Sequence, residues 1–304
     1  MLRTLEGENL LHRDGDRWTL GDLEAAPVPA LLRQVIAARV ARLPAETARL
    51  LAVAAVVGQE VPLVLWAAVG EVAERALPDH VEPALATRLV VESPNGSGVR
   101  FAHALVREAL YAGISALRRR VLHRDIAETL LLTTGADPDA VAYHLRQAGD
   151  GRAVAWLVRA GFRAHRAAAW LTAADRFVAA AGLAGEGEHG RERAWLLFAG
   201  AVLRRFGGGH VAARLLAEAE RAALEAGERA LVAQIGYQRG VSRCIGGDIR
   251  QGLAEIAWGM AVLESLPQNP YPLSPDGLAL TIVGDLFPGT GGVLPAPRLI
   301  FGPG

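Results

Sequence analysis

The residues with the most chemical reach lie in "VRFAHALVREALYAGISALRRRVLHRDIAETL", residues 99 to 130. His103, Arg107 and Tyr111 follow at i, i+4 and i+8, so a helix puts them on one face. An imidazole, a guanidinium and a phenol in a row can meet a phosphate or dock a protein surface. Further on stand Arg118, Arg119, Arg120 and Arg124. Guanidinium groups grip phosphates, so this cluster suits a nucleic-acid backbone. The plainer use of the same charges is a solvated helix, salt-bridged near Asp125 and Glu128.

Other chemistry is excluded or left without parts. All 32 basic residues are arginine, and the chain has no lysine. That removes a P-loop lysine, a Schiff base and a lysine general base. Cys244 is the single cysteine, so an intrachain disulfide is impossible and a small packing residue is the expected role. The eight histidines form no H-E-x-x-H and none pairs with Cys244 at ligand spacing. No G-x-S-x-G occurs. "GEGEHG" at 185–190 fits G-x-G-x-x-G in letters, but no strand precedes it and it links two helical segments. The expectation is a chain with no catalytic residues, no metal site and no cofactor of its own.

These residues must be positioned by helices. The chain has 304 residues, 51% of them hydrophobic, enough for two domains with a sizeable core. The 32 acidic residues balance the arginines, so no global field draws the chain to nucleic acid or membrane. No run of ~20 apolar residues offers a membrane span, and no signal-peptide core opens the chain. A reducing cytoplasm is the expected compartment.

The spacing predicts helices in "VPALLRQVIAARVARLP", "AETARLLAVAAVVG", "VPLVLWAAVG" and "DHVEPALATRL", with Asp79 capping the last. "LVVESPNGSGVRF" then places two β-branched runs around Asn95-Gly96, a hairpin signal. Helices followed by a hairpin are the order of a winged helix. Leu105, Val106, Ala109 and Leu110 form the expected buried face of the next helix, and Leu122, Ile126 and Leu130 that of the helix after it. From about residue 138, "GGHVAARLLAEAERA" and "GGDIRQGLAEIAWGM" repeat at a spacing of 38, and "LTAADRFVAAAGL" is an earlier copy. Such a period predicts a solenoid of helical hairpins, tetratricopeptide-like. The fold expected is mainly α: a winged-helix module with a small β-hairpin wing, followed by a tetratricopeptide-like α-solenoid. Its parts are residues 1–28, with a hairpin at Asp14-Gly15; 29–134, the winged-helix-like domain; 135–266, the repeats, with an uncapped end exposing Ile256, Trp258 and Leu263; and 267–304, a Pro/Gly-rich, poorly ordered tail.

"LLRQVIAARVARLPAETARLLAVAAVVGQEV", "FAHALVREALY" with "RRRVLHRDIAETL", and "YHLRQAGD" resemble the STAND-type signal-transduction ATPases of bacteria. These include the large LuxR-type transcriptional regulators and the cyclase-associated predicted ATPases. The resemblance covers about residues 5 to 185. It implies a parent architecture of P-loop ATPase, helical lid, winged helix and superhelical repeats, with ATP or ADP bound by the ATPase. Residues 1–28 would be a remnant of the lid region, and the chain a truncated or internal fragment. In related proteins a Met-His-Asp motif opens the helix after the wing, and its histidine meets the ADP phosphate. Phe101-Ala102-His103-Ala104 holds that place, so the resemblance implies nucleotide sensing by His103, though Ala104 stands where the acid would be. Arg107 and Tyr111 would then belong to a face docking the ATPase domain. The implied function is regulatory and non-catalytic, with a protein partner or small-molecule inducer sensed by the repeats and at most weak DNA contact. The alternative is a stand-alone winged-helix DNA-binding regulator, using Arg118, Arg119, Arg120 and Arg124 on phosphates.

Overall fold

Pro44 ends one helix and starts the next, and from there the first part of the chain is built around a single apolar segment. The computed structural model describes residues 11–14, 17–20, 30–185, 189–204, 209–266 and 275–290. The chain divides into two units, residues 1–129 and 130–304. Fourteen α-helices and five short strands occur among the described residues. The protein is mainly helical, with a small three-stranded antiparallel sheet.

In the first unit, β1 (Leu11–Asp14) and β2 (Arg17–Leu20) pair as the hairpin expected at Asp14-Gly15. Helix α1 (Ala30–Val40) precedes α2 (Ala45–Val57), which is apolar nearly all round. A helix of that kind must be covered on several sides. Leu50, Leu51, Val53, Ala54, Ala55 and Val56 are accordingly all buried. Short α3 (Leu63–Val69) covers α2 with Trp66, whose indole N–H donates to the Leu50 carbonyl at 2.8 Å. Helix α4 (Leu77–Ala86) begins two residues before Asp79, with Pro78 in its first turn. Asp79 is therefore an acidic first-turn residue and not the cap, the fixed φ of Pro78 having started the helix upstream.

The sheet has one strand more than the sequence suggested. Strands β3 (Glu60–Pro62), β4 (Val90–Glu92) and β5 (Gly98–Phe101) lie in the order β3-β5-β4. Val90 pairs Phe101 and Val61 pairs Val99, all four buried. Three residues ending in proline carry no alternation to read, and Pro62 is tolerated because β3 is an edge strand. Gly98 is required where it pairs Pro62, since a Cβ there would stand 2.3 Å from the Val61 carbonyl oxygen.

Helices α5 (Ala104–Gly113) and α6 (Ala116–Leu131) follow. On α6, Leu122 and Ile126 are buried as the spacing predicted, while Leu130, the third residue of that stripe, is only partly buried near the helix end. On α5 the expected four-residue buried face is not found. Val106 is buried, but Leu105 is 42% exposed and Ala109 and Leu110 are only partly covered. The helix packs on α1 and α2 and leaves the rest of its apolar residues partly open.

The regular elements among the described residues of the second unit are all helices: α7 (Pro138–Ala148), α8 (Ala153–Arg166), α9 (Trp170–Ala184), α10 (Gly190–Leu203), α11 (Gly209–Glu225), α12 (Arg229–Ile245), α13 (Ile249–Glu264) and α14 (Pro275–Leu286). Each helix from α7 to α12 packs on the next. Asp137 caps α7 by accepting from the Asp139 amide, and left-handed Gly149 ends it. Phe162 and Phe177 meet edge to face at 5.4 Å. Helix α10 is central: every residue from Ala194 to Leu203 is buried.

Small residues set the closest approach. A Cβ on Gly240 of α12 would lie 2.6 Å from the Gly252 carbonyl oxygen of α13, and one on Gly236 would strike the Trp258 ring. Cys244 is half-buried, and a Cβ on Gly252 would lie 2.5 Å from its Sγ, so this cysteine is a packing group. On α13, Leu263 is fully buried, which corrects its expected exposure, while Trp258 is 47% exposed.

Within the stretch expected to be a poorly ordered tail, Pro275–Leu286 form helix α14. Ala279, Leu280 and Val283 are buried at helical spacing, and α14 packs on α10. Gly289 accepts from Arg159 at 2.7 Å, and Thr290 is buried. Prolines and glycines flanking a twelve-residue apolar helix hid it from a reading based on composition. Residues 267–274 and 291–304 lie outside those described.

Candidate functional site

The residues singled out at residues 103–124 occupy three different environments. His103 immediately precedes α5, is exposed, and makes no capping hydrogen bond. Arg107 is half-buried, and its guanidinium reaches the Ala55 carbonyl at 3.4 Å. Tyr111 turns inward instead. Its hydroxyl is hydrogen-bonded to Nε2 of His123 at 3.0 Å, and the Arg119 guanidinium lies over its ring at 4.8 Å. Arg118, Arg120 and Arg124 are exposed on α6, while Arg119 is partly covered. His123 was not anticipated as special: it is 1% exposed. Burial disfavours its charged form, and the nearby Arg119 charge adds to this, so its pKa falls to about 4.

The second unit holds a cleft of about 770 Å³ between α10, α11 and α12. Its position follows from three helical stripes. Helix α11 contributes Ala212, Ala213, Leu216 and Ala217, which share a face at i, i+1, i+4 and i+5. Helix α12 contributes Gln238, Val241, Ser242 and Ile245, at i, i+3, i+4 and i+7. Ala201 and Val202 of α10 complete the apolar lining. The alanines leave the space: larger side chains at four of these positions would let the helices fill it themselves.

Arg239 and Arg243 also line the cleft, and both are held by carboxylates. Arg239 Nη1 donates to Glu220 at 2.6 Å and its Nε to Glu255 at 3.2 Å. Arg243 Nε lies 3.2 Å from the other Glu255 oxygen, though off the hydrogen-bond direction. Its Nη1 donates to Gln251 at 3.1 Å and stands 3.5 Å from Asp248. Burial works against the charge on Arg239, but the hydrogen bonds and charges of Glu220 and Glu255 outweigh it, so its pKa is raised. Gln238 differs from both arginines. The residue as a whole is 8% exposed, it lines the cleft, and its amide makes no hydrogen bond among the described residues while staying within reach of solvent.

This arrangement can bind and orient a molecule. No nucleophile stands beside a general base in it, and among the described residues no group of three His, Cys, Asp or Glu side chains is placed to hold a metal ion. No helix among those described is long and apolar enough to cross a membrane. Sequence reading missed the cleft because Gln238 and Ser242 look like ordinary polar positions of a helix. The one available signal was the alanine run of α11 facing a glutamine on the next helix. Comparison of the chain with protein-family models, with curated proteins and with solved structures finds no match.

Proposed function

We propose that this chain is the winged-helix and repeat portion of a STAND-type transcriptional regulator, a non-catalytic cytoplasmic module. In this reading the tetratricopeptide-like repeats sense an inducer or partner, and the winged-helix unit passes that state to a nucleotide switch in an ATPase domain. The carrying observation is the cleft between α10, α11 and α12: about 770 Å³, mainly apolar, with a few polar groups converging on it. Sites for small ligands have this size and character. The helices followed by the β4–β5 hairpin support the winged-helix assignment. The exposed His103 at the start of α5 supports its role as the nucleotide sensor, and Arg107 beside it supports the docking face. Tyr111 contributes to that face only through its packing, its hydroxyl being held by His123.

The experiment is a thermal-shift screen of metabolites against the chain and against Ala217→Trp, which fills the exposed mouth of the cleft. The expected result is one or more compounds that stabilise the parent chain, leave the variant unmoved and are recovered unchanged by mass spectrometry. A compound consumed during the assay, compounds that stabilise both proteins equally, or no stabilising compound at all would overturn the reading.

The exposed Arg118, Arg120 and Arg124 favour a second reading, direct DNA binding. Against it, α4, the helix expected to enter a groove, exposes Asp79 and Glu82. Sequence-selective, salt-dependent binding to duplex DNA would establish this second reading over the first.

A further inference from the structure

We infer that the cleft between α10, α11 and α12 takes an uncharged, mainly apolar small molecule whose one polar group is an amide, recognised by the side-chain amide of Gln238. The inference rests on the sensing role proposed above and names the chemistry of its ligand.

Three observations carry it. The first is Gln238 itself. Gln238 is 8% exposed as a whole residue and lines the cavity, and its amide, with no hydrogen-bond partner among the described residues, is not sealed from solvent, so a molecule entering the cleft can meet it. A primary carboxamide offers a donor and an acceptor in one plane. Another amide satisfies both at once; an ether or an alkyl group satisfies at most one.

The second observation is charge. Two guanidinium groups border the cleft, which at first favours an anion. Arg239 is held by Glu220 and Glu255, and Arg243 by Glu255 and Asp248. Three carboxylates thus face two arginines. An anionic ligand would have to displace a carboxylate and would then stand beside it. A cation would meet the two guanidinium groups. An uncharged ligand disturbs neither.

The third is the wall. Ala213, Leu216, Val241 and Ile245 present only hydrocarbon, so most of the ligand's surface must be apolar to gain from entering. The volume lies within the usual span for sites that enclose a small organic molecule, and eight of the twelve lining residues are apolar.

The test uses the full chain and an uncharged fluorescent probe, N-phenyl-1-naphthylamine, whose emission rises in apolar surroundings. Octanamide and octanoate are compared as competitors near neutral pH. The expected result is that octanamide displaces the probe at about a tenfold lower concentration than octanoate. Gln238→Leu should keep the probe site and remove that preference, and Ala217→Trp should weaken the probe itself by at least about tenfold. Both variants are checked for an unchanged far-ultraviolet circular dichroism spectrum, and Gln238→Glu, which keeps the size and loses the amide, serves if Gln238→Leu does not fold. Octanoate competing as well as octanamide overturns the ligand class while leaving the cleft as the sensing site. Probe binding indifferent to Ala217→Trp overturns the cleft as a site, and with it the class. Probe uptake that falls as protein concentration rises assigns the cleft to a second copy of the chain and overturns the proposal.

Discussion

The Tyr111 hydroxyl stands 3.0 Å from Nε2 of His123, and this hydrogen bond ties α5 to α6 across the break at Ile114–Ser115. Arg119, one turn before His123, lies over the Tyr111 ring at 4.8 Å. The two helices are thus joined by a phenol with a buried imidazole at its hydroxyl and a cation on its face. A cation beside a buried imidazole opposes its protonation, so the joint is built around a neutral histidine.

That joint makes the first unit sensitive to acid. The ordinary histidine value is 6.5, and that of folded His123 is about 4. Between these values the unfolded chain binds a proton that the folded chain refuses. Stability therefore rises with pH through this window, and is lost as pH falls from 6.5 toward 4. The gap corresponds to roughly 3 kcal/mol. Denaturant midpoints of the parent chain and of His123→Phe, followed against pH, should diverge across the window. Parallel curves would show that His123 contributes nothing to the acid sensitivity.

The contacts between α12 and α13 predict opposite outcomes for two glycines. Gly240→Ala places a methyl 2.6 Å from the Gly252 carbonyl oxygen, where only backbone movement makes room. A loss of about 1–3 kcal/mol or more is expected. Gly182 lies within α9 with nothing within 4 Å of a built Cβ. Gly182→Ala should stabilise by about 0.5–1 kcal/mol, the helix-propensity gain alone. Thermal melts of both variants check the pair, and equal shifts would contradict the close approach.

Much of this fold was legible because periodicity reports burial. The all-apolar α2, the Asn95-Gly96 hairpin, and Leu122 with Ile126 on α6 follow from spacing alone. Strand β3 was not legible, since its three residues are strand only by pairing with β5. Helix α14 was hidden by the prolines and glycines around it. The cleft was illegible for a different reason. A cavity is the space that Ala212, Ala213 and Ala217 fail to fill, and alanine reads as helix-forming wherever it stands. His123 carries the same lesson: its spacing shows a polar residue beside a buried stripe, and only the fold shows it inside.

Spacing alone makes Leu105 and Ile126 equivalent, and the structure separates them. Leu105 is 42% exposed and Ile126 is 0% exposed. Leu105→Ala should cost about 1 kcal/mol, because two fifths of the residue stays in water on folding and no closed cavity is left. Ile126→Ala should cost about 2–5 kcal/mol through lost burial and the cavity left behind. Urea unfolding of the two variants measures the difference directly. A costly Leu105→Ala would mean that another surface covers this residue.

The carboxylate of Glu255 serves two arginines at once, contacting Arg239 Nε and Arg243 Nε at 3.2 Å each. Glu220 and Asp248 each serve one of them. Loss of the Glu255 charge leaves both guanidinium groups bordering the cleft with weaker compensation, whereas loss of the Glu220 charge affects Arg239 alone. The arginine side chains are a little over a third exposed, and water screens part of either loss. Glu255→Gln should therefore cost only about 1–2 kcal/mol, and more than Glu220→Gln. Raising the salt concentration should narrow the gap between Glu255→Gln and the parent, because the difference is chiefly one of charge. The same substitution should change what the cleft accepts. With Glu255 neutral, two arginines face two carboxylates instead of three, and octanoate should gain on octanamide as a competitor for the fluorescent probe. Stability equal to that of the parent, with unchanged competitor ranking, would mean that Glu255 neither holds the arginines nor keeps anions out.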